Sequence, residues 1–301
     1  MYVTAKASKI DRGALVTTML AGGLTAPFIV GPTGTNASAV GSTETNVSDD
    51  SQKSHLLRNP LMWAVAWSST AAEFGTLCHQ AFNFARLRVD QAVQRSSEGG
   101  RRLAIITDVD NTVVHASSYR GHLVNEGIDF FDDEIWDELI PKNSMTLVPG
   151  VNEILTHCEE QDVEVFSVTN RDQGPDTLDL ALKQRQYLGL PFTEREHPRV
   201  FTNSSDKTPA RDSVSQTHEL VLLLGDNLND FKRDYYLDDV EQRFALLERD
   251  KNELGDRFVL LPNPTDGHWV RALFGESEPI ATEGNRRALF DATIRGAWDG
   301  T

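Results

Sequence analysis

The sequence predicts an α/β fold in which a doubly wound parallel sheet carries a small cap and an N-terminal helical extension. Three observations lead to this prediction. Apolar runs of strand length alternate with segments of helix length between residues 103 and 261. Such alternation is typical of parallel strands joined by helical crossovers. The first of these runs is apolar throughout, as a strand buried on both faces is, and polar Asp, Thr or Asn side chains follow directly after several runs.

The composition is that of a globular protein with an acidic surface. Lys and Arg number 29 against 45 Asp and Glu, which gives the 301-residue chain a net charge of −16 at pH 7. A nucleic-acid-binding surface needs a basic patch or stripe, so no nucleic acid polymer is expected as a partner. An acidic surface also repels anions at long range, and an anion site here needs local cations. The two cysteines, Cys78 and Cys158, leave one disulfide and two buried thiols equally open.

Residues 1–39 have the pattern of a signal peptide or N-terminal anchor. Lys6, Lys9 and Arg12 precede an apolar stretch, and a small-residue cleavage site follows at 37–39. Glycines and a proline interrupt the stretch, which makes it a poor permanent membrane helix, although an uncleaved anchor is left open. We therefore expect a secreted or extracytoplasmic protein whose only route to a membrane is this segment.

Residues 40–58 are predicted to be a flexible linker, because so few apolar side chains cannot bury a core. The folded domain is expected over 59–301. It begins at Asn59-Pro60, an N-cap residue followed by proline at the first helical position. Apolar spacings of three and four predict one long helix to about Val93. Its predicted buried face comprises Trp63, Trp67, Thr70, Phe74, Leu77, Ala81 and Phe84.

The remaining elements are predicted from the same patterns. The first strand runs from Leu103 to Ile106. Residues 113–148 after it are interpreted as a small cap insertion near the mouth of the ligand crevice that is expected at the carboxyl ends of the strands. A C-terminal packing helix is expected within 276–301. The other predicted elements are a helix from Val151 to Cys158, a strand from Val163 to Val168, a helix from Thr177 to Leu188, and strands from Arg199 to Thr202, Leu220 to Leu224 and Phe258 to Leu261.

Acidic and hydroxyl side chains stand directly after these strands. Asp108 and Asp110 follow the first strand with a spacing of two, which directs both carboxyl groups to the same side of an extended chain. Thr169 follows the second strand and Asp226 the fourth, while Lys207 lies in a loop that enters a helix. Ligands of open α/β sheets bind outside the carboxyl ends of the strands, so we expect these groups to meet in one crevice.

An all-oxygen donor set indicates a hard divalent cation, Mg²⁺ above all. Asp108 and Asp226 are expected to hold the ion together with the backbone carbonyl of Asp110, while Asn227 and Asp230 hold its waters.

Phosphoryl chemistry follows from this arrangement. The carboxylate of Asp108, next to a bound cation, can attack phosphorus and form an aspartyl-phosphate. A protonated Asp110 can deliver a proton to the leaving oxygen. Thr169 and Lys207 can bind the equatorial oxygens, where charge must be stabilised. The expected substrate is a small phosphate monoester.

The order of the motifs, DxDxT at 108–112, then Thr, then Lys, then GDxxxD, resembles the haloacid dehalogenase superfamily of phosphohydrolases. Further segments narrow the resemblance to the class C acid phosphatases, bacterial surface lipoproteins with 5′-nucleotidase activity. These segments are Glu73-Phe74, Gln80–Asn83, Val168–Arg171, Gly225–Phe231 and Leu261–Pro264. The resemblance spans roughly Asn59 to Phe274 and implies a Rossmann-like haloacid dehalogenase core and Mg²⁺-dependent hydrolysis outside the cytoplasm.

The resemblance also implies roles by motif position. Asp108 would be the nucleophile and Asp110 the acid/base. The predicted metal ligands are Asp108, Asp110, Asp226 and Asp230. The predicted substrate-binding residues are Thr169, Asn170, Lys207 and Arg211. A structural ion pair is the alternative for Arg211, and whether the domain forms a homodimer is left open.

Three positions depart from the family pattern. Asn111 replaces the usual Glu, which leaves the chemistry intact. Asp266, before Gly267, replaces an aromatic residue that in relatives helps stack the nucleobase, so the preference for nucleotides is open. The lipid-attachment cysteine is missing, and lipoprotein status is not carried over.

The expected function is that of a secreted, Mg²⁺-dependent acid phosphatase. Two alternatives are a phosphotransferase of the same fold, which moves phosphate to an acceptor alcohol, and a non-catalytic exported phosphate-binding or storage protein.

Overall fold

A five-stranded parallel sheet lies at the centre of the structure, a computed structural model that describes residues 56–298. The strands of the described residues, in chain order, are β1 (Arg102–Thr107), β2 (Val114–His115), β3 (Thr146–Leu147), β4 (Glu164–Asn170), β5 (Pro198–Phe201), β6 (His218–Gly225) and β7 (Phe258–Leu260). The central sheet has the order β5-β4-β1-β6-β7, and β2 and β3 pair separately. The chain adds β4 and β5 on one side of β1, and then crosses to β6 and β7 on the other. The carboxyl end of β1 is therefore the topological switch point, where open α/β sheets bind ligands.

Helices cover both faces of the sheet. In chain order they are α1 (Met62–Thr70), α2 (Ala72–Arg95), α3 (Ser117–Glu126), α4 (Asp133–Leu139), α5 (Val151–Glu160), α6 (Thr177–Tyr187), α7 (Thr208–Thr217), α8 (Leu228–Phe231), α9 (Val240–Asp250), α10 (His268–Phe274) and α11 (Glu283–Thr293). Leu103 and Ile105 of β1 join a core cluster with residues of α2 and α5. Ala104 and Ile106 face the opposite way, into a cluster with residues of α7. The predicted doubly wound α/β class is confirmed.

The first predicted helix is interrupted, and part of its predicted buried face is wrong. Ala71 has an extended backbone (φ −83°, ψ 126°) and separates α1 from α2. Trp63, Leu77 and Phe84 are exposed. The side chains that α2 buries are Phe74, Cys78, Phe82, Ala85 and Val89. Both stripes have helical spacing. The buried stripe of α2 includes small side chains that pack in the same core as α5. The prediction missed this stripe because it was based on large apolar side chains.

Residues 113–148 lie between β1 and α5 and carry α3 and α4. An antiparallel ribbon pairs Val114 with Leu147 and so brings the two ends of the segment together. The Tyr119 ring packs against Phe131 and Trp136 at centroid distances of 5.4 and 4.9 Å. The Tyr119 hydroxyl also donates to the Asp132 carbonyl at 2.9 Å. These aromatic side chains therefore anchor the cap, and Phe131 and Trp136 serve in addition as walls of the cavity described below.

Several expectations concern other parts of the chain. Cys78 and Cys158 are free and buried, and burial raises the pKa of the Cys78 thiol to about 11. Helix α9 was not predicted, and α11 lies within the expected C-terminal region. The predicted signal peptide or anchor, 1–39, and most of the predicted linker, 40–58, lie outside the described residues. In the part of the chain from 56 to 298, no helix has the length and apolar character to cross a bilayer.

Candidate active site

The parallel strands β4, β1 and β6 deliver polar side chains to one cavity of about 150 Å³. Asp108 directly follows β1, and its backbone N–H donates to the Leu224 carbonyl of β6 at 2.9 Å, which continues the ladder past the strand. Thr169 is the penultimate residue of β4. Asp226 follows β6, and Lys207 precedes the first turn of α7. All four side chains line the cavity.

Asp108, Asp226 and Asp230 offer carboxylate oxygens that all lie within 4.8 Å of one another. Burial, together with the charges of Asp230 and Asp110, raises the pKa of Asp108 to about 7, although Lys207 opposes the shift. Burial and the neighbouring carboxylates likewise raise the pKa of Asp226 well above its usual range. A divalent cation among these oxygens would relieve the repulsion, and the donors are the hard oxygens that Mg²⁺ prefers. The residues present therefore fit such an ion.

Lys207 supplies a positive charge inside this acidic cluster. Its Nζ contacts Asp108 Oδ1 and lies 2.7 Å from Asp230 Oδ1. Burial alone would lower the pKa of Lys207, but the charges of Asp108 and Asp230 outweigh it and raise the pKa above its ordinary value. The ammonium group is therefore held charged, as an anion site in an acidic protein requires.

Arg171 and Thr169 hold the carboxyl group of Asp110 in a fixed plane. Arg171 donates from Nε to Asp110 Oδ2 at 2.9 Å and from Nη2 to Oδ1, and the Thr169 hydroxyl donates to Oδ2 at 3.0 Å. The guanidinium also donates to Gln184 Oε1 at 3.0 Å and lies 5.9 Å from the Trp136 ring centroid. A two-pronged contact of this kind adds geometric specificity as well as energy.

The turn after β6 depends on two glycines. A Cβ on Gly225 would lie 2.4 Å from Asp230 Oδ2, and the backbone of Asn227 donates to that same oxygen at 2.9 Å. Gly267 has a φ of +111°, and a Cβ there would lie 1.9 Å from Asn227 Nδ2. Only glycine fits either position, because the backbone must approach these side chains closely. The turn thereby directs Asp230 toward Asp108 and Lys207.

Comparison with known proteins decides the family. The sequence profile of HAD superfamily subfamily IIIB (acid phosphatase) matches residues 32–269. The chain belongs to this family. A crystal structure of the class C acid phosphatase from Bacillus anthracis with tungstate bound is 29% identical, with a TM-score of 0.72 over 78% of this chain and 97% of that chain. A second structure of the class C acid phosphatase from that organism is 28% identical, with a TM-score of 0.70 over 82% of this chain and 99% of that chain.

The predicted resemblance to the haloacid dehalogenase superfamily and its class C acid phosphatases is thus confirmed, and the protein is a phosphomonoesterase. Most of the predicted site residues of this acid phosphatase line one cavity. They are Asp108, Asp110, Thr169, Asn170, Lys207, Asp226 and Asp230.

Arg211 is placed differently from the prediction that it binds substrate. It does not line the cavity, and its Nη1 donates to the Phe231 carbonyl at 2.5 Å. The guanidinium therefore ties α7 to α8. Donors from Arg171 and Thr169 already contact both carboxylate oxygens of Asp110. Its backbone carbonyl remains the group with which it would contact a metal ion.

Three residues of the site were not among the predicted ones. Arg171 follows Thr169 and Asn170 at the end of β4 and donates to both carboxylate oxygens of Asp110. Asn263 donates from Nδ2 to Asp226 Oδ2 at 2.6 Å. His268 lines the cavity, and burial lowers its pKa to about 4. The signal for Asn263 was its place in a Pro-Asn-Pro segment after a strand, whereas no sequence pattern indicated His268.

Proposed function

We propose that this acid phosphatase hydrolyses phosphate monoesters with the help of Mg²⁺, through an aspartyl-phosphate formed on Asp108. The observation that carries the proposal is the cluster of Asp108, Asp226 and Asp230, whose oxygens lie within 4.8 Å of one another beside the ammonium of Lys207. The donor chemistry favours a hard cation, and the lysine favours an anion at the same place.

Each side chain has a distinct task in the proposed reaction. An electron pair of the Asp108 carboxylate attacks phosphorus, and the bond from phosphorus to the leaving oxygen breaks. Protonated Asp110 gives its proton to that oxygen, and then removes a proton from the water that attacks the aspartyl-phosphate. Lys207 contacts the equatorial oxygens, where negative charge must be stabilised.

The metal ion has a supporting task. When bound by Asp108, Asp226, Asp230 and the Asp110 carbonyl, it would neutralise charge on the phosphoryl oxygens. The related enzyme from Bacillus anthracis binds tungstate, which like phosphate is a tetrahedral oxoanion. This similarity supports an oxoanion site in the present protein.

The leaving group that we propose is planar, as in 5′-nucleotides and aryl phosphates. Phe131 and Trp136 of the cap line the cavity and present aromatic surface to it. Stacking on these rings would compensate for the aromatic residue that Asp266 replaces.

We also propose that the protein is exported. The support is the basic and apolar pattern of residues 1–39 followed by a small-residue cleavage site. Cell fractionation and N-terminal sequencing of the mature protein would distinguish a cleaved secreted form from an anchored form. Recovery of full-length protein in the cytoplasm alone would contradict export.

A substrate panel tests the catalytic proposal. The metal-stripped protein is assayed with nucleoside monophosphates, sugar phosphates and nitrophenyl phosphate, with a chelator and then with added Mg²⁺. We expect hydrolysis only with the metal, and faster hydrolysis of the planar substrates. Undiminished activity in the chelator would contradict the metal assignment. Transfer of most of the phosphate to an added acceptor alcohol would favour the phosphotransferase alternative.

A further inference from the structure

Asp266 lies at the edge of the catalytic cavity, in the loop between β7 and α10, and its carboxylate is fully engaged. Arg120 of α3 forms an ion pair with Oδ2. Asn263 Nδ2, Thr265 Oγ1 and Asn111 Nδ2 donate to Oδ1 at 2.8, 2.9 and 3.3 Å. Donors from the cap and from the core therefore hold both carboxylate oxygens of Asp266, and the side chain is not free to reorient toward a substrate.

Asn263 connects this carboxylate to the metal cluster. Its Nδ2 donates to Asp266 Oδ1 at 2.8 Å and to Asp226 Oδ2 at 2.6 Å. Its Oδ1 accepts from the backbone N–H of Thr265 at 3.0 Å. A flipped amide would direct its oxygen at two carboxylates, so the orientation is determined. The contacts form a chain from Arg120 through Asp266 and Asn263 to Asp226.

We propose that Asp266 is a positioning residue for the divalent ion, because it holds Asn263 against Asp226 and adds a negative charge behind the metal cluster. This inference rests on the proposed metal dependence. Removal of a group that orients a metal ligand typically weakens metal affinity about 10- to 100-fold. Where relatives have an aromatic residue that stacks on the nucleobase, this protein would therefore have a carboxylate that positions a metal ligand.

Arg120 explains how a further acidic side chain is tolerated near the cluster. Only 3% of its side chain is exposed, and within residues 56–298 its Nε and Nη1 have no hydrogen-bond partner. The guanidinium lies 4.8 Å from the Tyr119 ring centroid and 5.2 Å from that of Phe131. Asp266 is its ion-pair partner, so removal of the Asp266 charge leaves a buried cation uncompensated. Metal affinity and stability must therefore be measured separately.

The test measures metal binding by calorimetry on the metal-stripped full-length chain. Asp266→Asn keeps an oxygen acceptor for Asn263 and removes the charge, whereas Asn263→Ala removes the bridge. We expect the Kd for Mg²⁺ to rise about 10- to 100-fold in both variants. The matched control is Asp172→Asn, which removes the same charge from an exposed residue near the end of β4, and its Kd should not change.

The outcomes separate the inference from the function on which it rests. An unchanged Kd for Mg²⁺ in Asp266→Asn would overturn the positioning role. A wild-type protein that binds no divalent ion would instead contradict the proposed metal dependence. If Asp266→Asn does not fold, the double variant Arg120→Gln/Asp266→Ala removes the unpaired cation together with the oxygen that Asn263 contacts, and an unchanged Kd in this variant would likewise overturn the positioning role.

Discussion

Replacement of Lys207 by methionine should show most clearly how much the repulsion among the clustered carboxylates lowers the free energy of unfolding. The ammonium contacts Asp108 and lies 2.7 Å from Asp230, so its removal leaves two closely spaced carboxyl groups without a cation. Removal of one partner from a buried ion pair costs about 3–5 kcal/mol. For a domain of this size, a loss of that magnitude lowers the Tm on the order of 10 °C.

The size of the loss should depend on pH and on metal. With Lys207 present, the pKa of Asp108 is raised to about 7, chiefly by burial, so the carboxylate that Lys207 compensates is largely protonated at about pH 5.5 and charged at about pH 8. In a chelator, Lys207→Met should therefore be less destabilised at about pH 5.5 than at about pH 8. Bound Mg²⁺ should restore part of the loss at the higher pH, because it replaces the missing positive charge.

Urea unfolding of Lys207→Met at both pH values, with chelator and with Mg²⁺, checks this reasoning. Lys251→Met is the matched control, because Lys251 pairs with Glu248 on the surface, where both side chains are exposed. The control should lose at most about 1 kcal/mol. If Lys207→Met in chelator at pH 8 lost no more than the control, or if Mg²⁺ did not change its stability, the electrostatic account of the cluster would be refuted.

Three further predictions follow from the site. Asp110→Asn should lower turnover about 10²- to 10⁴-fold for alkyl phosphates and less for nitrophenyl phosphate, whose leaving group needs no proton; equal losses would contradict the acid role. The raised pKa of Asp108 means that its contribution to stability in metal-free protein is complete below about pH 4 and is lost as the pH rises through about 7. Metal-free wild-type protein should therefore lose stability relative to Asp108→Asn over that range, and unfolding curves in chelator that stay parallel would disprove it. Arg211→Gln should leave KM for phosphate esters unchanged, because Arg211 donates to the Phe231 carbonyl. A tenfold higher KM would show instead that Arg211 binds the substrate.

The sheet and most of the site were predictable because they depend on local signals. Apolar runs end one or two residues before Asp108, Thr169 and Asp226, and parallel strands necessarily bring such ends to one edge. Spacing alone then places Asp110 beside Asp108. These inferences require only the strand pattern and the chemistry of oxygen ligands, and neither depends on how distant side chains pack.

Other features depend on packing that spacing does not encode. The buried face of α2 includes Cys78 and Ala85, whose small size escapes a search for large apolar stripes. Arg211 and Arg171 have the same chemistry and both follow a strand in the chain, Arg211 within α7 and Arg171 directly after β4, yet it is Arg171 that contacts Asp110. The ion pair of Arg120 with Asp266 joins residues 146 positions apart, 266 − 120, across the cap and the core. No local pattern distinguishes these cases.

Turnover of Asp108→Asn tests the central claim most directly. The amide preserves the size of the side chain but cannot act as the nucleophile. With saturating Mg²⁺ and nitrophenyl phosphate, kcat should fall by at least ~10³, which corresponds to about 4 kcal/mol of activation free energy, while thermal unfolding shows a folded protein. A folded variant that keeps its kcat within tenfold of the wild-type value would contradict phosphoryl transfer to Asp108.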